Sequence, residues 1–325
     1  STSRRQRQMC IRDRYLFLAA TALSFAACSS DDENMGANDG PVAAQITAGI
    51  NDVLTRAFGQ SWEANDAIGV SVYTPTDGTP TLTQYTNMHY VTTAGDGNFT
   101  HSGGSSSGIF FQDADETVYF RAYYPFDKDS QENNGEVTIT DVRTDNQSDQ
   151  KNFDFMFAMG ATASKNSPTV KFNNTDNGTT DARFKHMMTR LVLNITTDIE
   201  AGFTADQVAS GTYTLSGIKH NGTFNTQNGT AEATGDATDN WVITDYITYA
   251  NNIGTCSLIL YPQTGASLTF SATIDGQTYT GTLTPAFAAS TSYSYDISIQ
   301  KTGLVISSGT IQDWTNGEGD KIEIN

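Results

Sequence analysis

The side chain with the clearest chemistry is the thiol of Cys28. It follows Ala26 and Ala27, two small residues of the kind a signal peptidase accepts. Upstream lies an apolar run, Tyr15 to Phe25, and before that the basic set Arg4, Arg5, Arg7, Arg12 and Arg14. Basic, apolar, small and then Cys is the order of a lipoprotein signal, with Phe25 where Leu is commoner. The apolar run is too short to span a bilayer comfortably. Residues 1–27 are therefore expected to be removed, and Cys28 to carry the lipid that anchors the chain to the outer membrane. The plainer alternative is an ordinary signal peptide with a chance Cys behind it.

The remaining candidates for chemistry are sparse. Four His residues occur, His89, His101, His186 and His220, none at metal-ligand spacing from another His or a Cys. Asp113, Asp115 and Glu116 cluster, as do Asp127 and Asp129. Paired carboxylates suit glycoside hydrolysis only across a cleft, about 5 to 10 Å apart. In so acidic a chain they read better as solvated loops, and Asp113 with Asp115 is too small a set to hold a cation. There is no phosphate-binding loop and no nucleophile elbow. The expectation is no catalytic residue, no metal and no cofactor. Cys256 lies in CSLIL, alternating with Leu258 and Leu260, as a small buried strand residue would. With Cys10 lost in the signal and Cys28 lipidated, no intrachain disulfide is expected.

Composition narrows the class. Charged residues are 17% and hydrophobic residues 37% of 325, which is not the profile of a solvated disordered chain. Without residues 1–27 the chain holds 13 basic and 35 acidic side chains, a net charge of −22. That argues against nucleic acid and anionic lipid head groups as partners. Residues 28–40, with SSDDENMGANDG after the Cys, read as an acidic flexible tether.

The elements that must position these residues are strands. Val42 to Ile50 places Val42, Ala44, Ile46, Ala48 and Ile50 on one face. Ala67 to Tyr73 and Val118 to Tyr124 alternate likewise, the second ending at Pro125. Glu136 to Thr140 and Thr169 to Phe172 are shorter, and residues 93–108 are rich in turn formers. A second series covers Met188 to Thr196, Thr212 to Ile218, Gly222 to Asn225, Trp241 to Ile243, Cys256 to Tyr261, Ser267 to Ile274, Gln277 to Leu283, Ser292 to Ile299 and Leu304 to Ile306. Asp275-Gly276 predicts a tight hairpin turn, because these residues adopt positive φ readily. One short helix is expected around Thr204 to Val208. The pattern predicts an all-β protein of two β-sandwiches in tandem, residues 41–180 and 181–325, divided in the polar stretch NNTDNGTTD.

Several segments, in order, resemble the fimbrillin family of Bacteroidales, the subunits of donor-strand-assembled pili. They are Thr55-Arg56-Ala57-Phe58-Gly59 with Trp62, Asp66 and Ile68-Gly69-Val70; Tyr119 to Pro125; Asp154 to Ala158; Phe184 to Leu191; Leu260 to Thr264; and Tyr295-Asp296-Ile297 through Ile311-Gln312-Asp313-Trp314. Asp31, Asp32 and Glu33 behind Cys28 resemble the surface-export signal of lipoproteins from similar bacteria, and fit a solvated linker equally well.

The resemblance implies two transthyretin-like sandwiches, no catalysis, and a place at the cell surface or in a fimbrium. It implies cutting between Arg56 and Ala57 by an arginine-specific surface protease. Strand 42–50 would then leave, and a strand from another pilus subunit would fill the groove. A strand burying about four apolar side chains contributes roughly 6 to 12 kcal/mol, before chain ordering is subtracted. His186 falls in a family strand motif, which implies a structural role. At the C-terminus, Ile322 and Ile324 alternate after a Gly-rich break, as a donated strand would, with Leu304 to Ile311 as its possible companion; packing within their own domain is the alternative. A glycan-binding surface lipoprotein of a polysaccharide-uptake system is the competing reading. It calls for a planar patch of exposed Trp or Tyr. The receptor is not legible.

Overall fold

Apolar–polar alternation turns most of the chain into strands. The computed structural model describes residues 40–50, 61–76, 79–82, 85–114, 116–131, 138–173, 181–197, 202–265 and 267–314. The first half holds β1 (Val42–Ala43), β2 (Gln45–Ala48), β3 (Asp66–Thr76), β4 (Thr79–Leu82), β5 (Met88–Thr92), β6 (Asn98–His101), β7 (Phe110–Phe111), β8 (Val118–Tyr124), β9 (Thr138–Ile139), β10 (Met156–Ala163), β11 (Thr169–Phe172) and β12 (Lys185–His186). The second half holds β13 (Thr189–Thr197), the helix α1 (Ala205–Ala209), β14 (Thr212–Ser216), β15 (Asn221–Asn225), β16 (Ala231–Thr234), β17 (Trp241–Val242), β18 (Ile247–Ala250), β19 (Ile253–Leu260), β20 (Leu268–Ile274), β21 (Gln277–Leu283), β22 (Thr291–Gln300) and β23 (Gly303–Asp313). The all-β expectation holds.

In the first half one sheet runs β11-β2-β6-β5-β3-β8-β10-β12, with β4 hydrogen-bonded to β3. Its order puts β10 and β11 far apart, yet they are joined by the tight turn Ser164–Ser167. The sheet therefore wraps back around one core, built on Ile68, Val70, Phe120, Val170, Phe172 and Phe184. In the second half a five-stranded sheet, β18-β19-β13-β22-β23, packs on a four-stranded sheet, β17-β14-β20-β21. Leu191, Leu193, Tyr213, Leu215, Cys256 and Phe270 fill the space between them.

The halves do not stand apart; residues from Gly40 onward pack as one unit. β9 leaves the first half to pair with β15, in a three-stranded sheet β16-β15-β9. A third core joins Tyr123, Phe155 and Phe157 to Phe224, Ile259 and Tyr261. Within it the rings of Phe155 and Phe224 stack at 4.5 Å. Beside it Arg121 is buried, and its Nη1 donates to the carbonyl of Gln227 at 2.9 Å. Burial holds that guanidinium down to about 10. The stretch 141–153 then straps the second half. The Gln147 carboxamide accepts from the N–H of Ile259 at 2.8 Å and donates to its carbonyl at 3.0 Å. Gln150 Nε2 donates to the Ser257 carbonyl at 2.8 Å. Two side-chain amides thus continue the sheet where β18 ends.

Local expectations met several outcomes. The hairpin β20–β21 closes on Asp275 (φ 50°) and Gly276 (φ 78°), as Asp-Gly predicts. Helix α1 begins one residue after its expected start. Thr204 is its cap, with Gln207 completing a capping box. The turn-rich stretch 93–108 contains β6, and β5 precedes it; neither was expected, because Gly, Asn and Ser surround only four or five strand residues. Of Glu136 to Thr140, only Thr138–Ile139 is seen as strand, residues 136 and 137 lying outside the described residues.

Candidate assembly site

Cys28, Arg56, Ala57, Ile322 and Ile324 all lie outside the described residues, as does Asp115. The strand expected to leave, 42–50, lies within them. Val42 and Ala43 pair with Phe111 and Phe110. From Gln45 the chain runs between two neighbours. It is parallel to β11, with Ile46 opposite Val170 and Ala48 opposite Phe172, and antiparallel to β6, with Ile46 opposite Phe99. Ile50 closes the run with a parallel bridge to Phe184.

Both edges of this strand are hydrogen-bonded. The N–H groups of Gln45 and Gly49 donate to the carbonyls of Pro168 and Phe172, each at 2.9 Å. On the other side, the N–H of Ala44 donates to Ile109 O at 2.8 Å and that of Ala48 to Gly97 O at 2.9 Å. Its apolar face lies in the core, with Ile46 2%, Ala48 7% and Ile50 7% exposed. From Ala44 to Ile50 the alternation legible in the sequence is the alternation seen; Val42, expected on the same face, is half-buried like its neighbour Ala43 and pairs with β7 instead.

Two residues shape the end of the slot. Gly97 sits at φ +80°, and a Cβ there would fall 2.6 Å from the carbonyl of Ala48, so a side chain fits neither the backbone nor the space. Trp62 is buried, and its Nε1 donates to that same carbonyl at 2.8 Å. Its ring meets Phe99, Tyr124 and Phe184 edge-on at 5.0, 5.6 and 5.2 Å. Neither role was read from the sequence. In the sequence Trp62 stands out only as part of a family motif, and Gly97 only as one of several turn formers.

The C-terminal candidate is different. β23 hydrogen-bonds to β22 from Gly303 to Asp313, with an irregularity between Tyr293 and Tyr295. Leu304 and Ile306 pack on the core of the second half, while Val305 and Ile311 are 49% and 69% exposed. Leu304 to Ile311 is thus seated in its own sheet. The chain then reaches Trp314, whose ring stacks on His186 at 4.1 Å.

The other chemistry candidates resolve into packing. His186 Nδ1 lies 2.8 Å from Asp154 Oδ1, both buried, which is a structural arrangement. His220 is buried with Nδ1 3.1 Å from Thr144 Oγ1, and desolvation drives its imidazole down to about 4. His89 stacks on Phe126, and His101 Nδ1 accepts from the Gly103 N–H. Burial pushes the Cys256 thiol up to about 12, so it is an inert core group. Asp113 and Glu116 are exposed, and among the described residues no group of three or more His, Cys, Asp or Glu could hold a metal ion. Trp62 and Trp241 are buried and Trp314 is covered by His186, so the Trp residues form no open planar patch for a sugar.

Comparison with known proteins agrees with this geometry. The model of the fimbrillin-like family matches residues 55–314. The chain belongs to that family. A Bacteroides uniformis protein carrying the name "Putative fimbrium subunit Fim1C" is 32% identical over 317 residues, spanning 93% of this chain and 94% of that protein. Two crystal structures share the fold, both described as a "putative cell adhesion protein". One, from Bacteroides uniformis, has a TM-score of 0.63 at 26% identity and covers 86% of this chain and 100% of its own. The other, from Bacteroides ovatus, has a TM-score of 0.65 at 25% identity, covering 85% and 98%.

Proposed function

We propose that the protein is a surface pilus subunit that assembles by strand exchange and contributes to adhesion. The observation that carries this reading is strand 42–50. It is inserted between two strands, its apolar face lies in the core, and Arg56 follows Ile50 by only six residues in the sequence. Cutting after Arg56 would free the only covalent tie on that side. Losing the strand would open a groove lined by Phe99, Val170, Phe172 and Phe184, with unpaired backbone on both flanks. Such a groove demands an occupant. Another subunit supplies it, from a segment such as Ile322–Ile324.

In this reading Cys28 carries the outer-membrane lipid anchor, and an arginine-specific surface protease releases the strand. Residues 41–180 and 181–325 are read as two domains that remain packed together; the strand pairing changes sheets a little later, between His186 and Thr189. N-terminal sequencing of sheared fibres tests the core of the proposal. Fibre subunits should begin at Ala57, and Arg56→Ala should leave unpolymerised precursor on the membrane. Subunits that begin at Cys28 within fibres would overturn strand release. Alkyne fatty-acid labelling should mark the wild type and miss Cys28→Ser. Ile322→Asp with Ile324→Asp should leave the monomer melting temperature unchanged and block assembly.

A further inference from the structure

We propose that Trp62 is a positioning residue for the incoming strand, and that it recognises a main-chain carbonyl rather than a side chain. This rests on the strand-exchange reading above. Trp62 lies on the retained side of Arg56, so it stays when residues 42–56 leave. Its indole N–H, now bound to the Ala48 carbonyl at 2.8 Å, would then face an emptied slot. The ring cannot readily turn away, because Phe99, Tyr124 and Phe184 hold it on three sides. A buried donor without an acceptor is costly, and an arriving strand that presents a carbonyl relieves that cost.

The place of the contact explains why an indole is needed. β6 pairs with β2 only at Ile46–Phe99 and Thr47–Asn98. Its chain then bends at Gly97, whose carbonyl still takes the Ala48 N–H. The indole meets the Ala48 carbonyl at this bend, on the flank where the β6 ladder has ended. The incoming strand must therefore run at least as far as the Ala48 position. Because every residue except at a chain end offers a carbonyl there, this contact tolerates donors of different sequence. That suits a slot filled by subunits that are not identical to this one.

A double-mutant cycle on the chain cut after Arg56 tests the assignment. Excess synthetic peptide spanning residues 41–56 is exchanged for the native strand, in an all-amide form and in a form with an ester between residues 48 and 49. The ester weakens the Ala48 carbonyl and also deletes the Gly49 N–H. The second loss is common to wild type and Trp62→Phe, so it cancels in the cycle. The ester should speed peptide release about ten-fold more in the wild type than in Trp62→Phe. Equal effects in both proteins would overturn the role of Trp62 while leaving strand exchange intact. Failure of the cut wild type to exchange its strand at all would overturn both. Should Trp62→Phe not fold, the wild-type indole N–H resonance decides. It should shift upfield and exchange faster with the ester peptide, and an unmoved signal would refute the contact.

Discussion

Strands 42–50 and 303–313 are both candidates for exchange between subunits, and they are built in opposite ways. The first sits between two strands, with its apolar face 2% to 7% exposed at Ile46, Ala48 and Ile50. Among the described residues the second is an edge strand with one partner, and its outward residues Val305 and Ile311 are 49% and 69% exposed. Removing the first opens a groove with two hungry flanks; removing the second uncovers one flank and part of one core. Apart from the irregularity opposite Tyr293 and Tyr295, the edge has little of the usual protection. GLVISSGTIQD has no Lys, Arg, Glu or Pro, and its only charge is at Asp313. A strand that must be replaced once gone is therefore found at the N-terminal end, and a strand open to further pairing at the C-terminal end.

Substitution at matched positions should separate the two regions. Ile46→Asp puts a charge into the core beside Val170 and Phe99. It should cost about 4 kcal/mol of precursor stability in urea unfolding. A loss below about 1 kcal/mol there would mean that the strand is only loosely held, and the contrast would fail.

Acid should act on the strap between the halves and spare the slot. His220 is desolvated and stays neutral in the fold; Asp145 raises its affinity for protons and Arg143 lowers it, both less than burial does. Because its folded value lies below 6.5, the unfolded chain takes up the proton first. Stability from this group is intact above pH 6.5 and is lost as pH falls toward about 4. The loss should approach 2 to 3 kcal/mol, roughly, and His220→Gln should flatten it. Amide exchange should quicken in 141–153 and not in β2. A uniform response would show that the two regions unfold as one.

Glycines give a smaller version of the same test. Gly97→Ala forces a side chain into positive φ against the Ala48 carbonyl, and should cost about 1 to 3 kcal/mol. Gly303→Ala, with open space around it, should stay within about 0.5 kcal/mol. The smallest effects belong to the outer face of the edge. Val305→Asp and Ile311→Thr should each change the melting free energy by less than about 0.5 kcal/mol. A loss above about 1 kcal/mol would reveal that this face is already covered.

Local chemistry was legible wherever one face of an element decides its pattern. The 42–50 alternation, the Asp275-Gly276 turn and the Thr204 cap each depend on residues a few positions apart. Val118 to Tyr124 shows where that logic stops. Its alternation suggests one buried face, yet Phe120, Ala122 and Tyr124 enter the first core while Arg121 and Tyr123 are covered on the opposite face. The second half supplies that cover through Phe224 and Gln227, about a hundred residues away. The same distance hides the parallel partners of β2 and β13, which are β11 and β22.

By itself the sequence determined many of the strands, the tight turn, the acidic composition and the absence of any spacing suited to metal or nucleophilic chemistry, because period, φ preference and charge are local properties. Only the tertiary structure decided that strand 42–50 is inserted rather than marginal, that Gly97 must lack a side chain, and that the Trp62 indole faces a main-chain carbonyl. Each of these depends on what stands on the far side of a residue, and that is set by chain segments brought together only on folding.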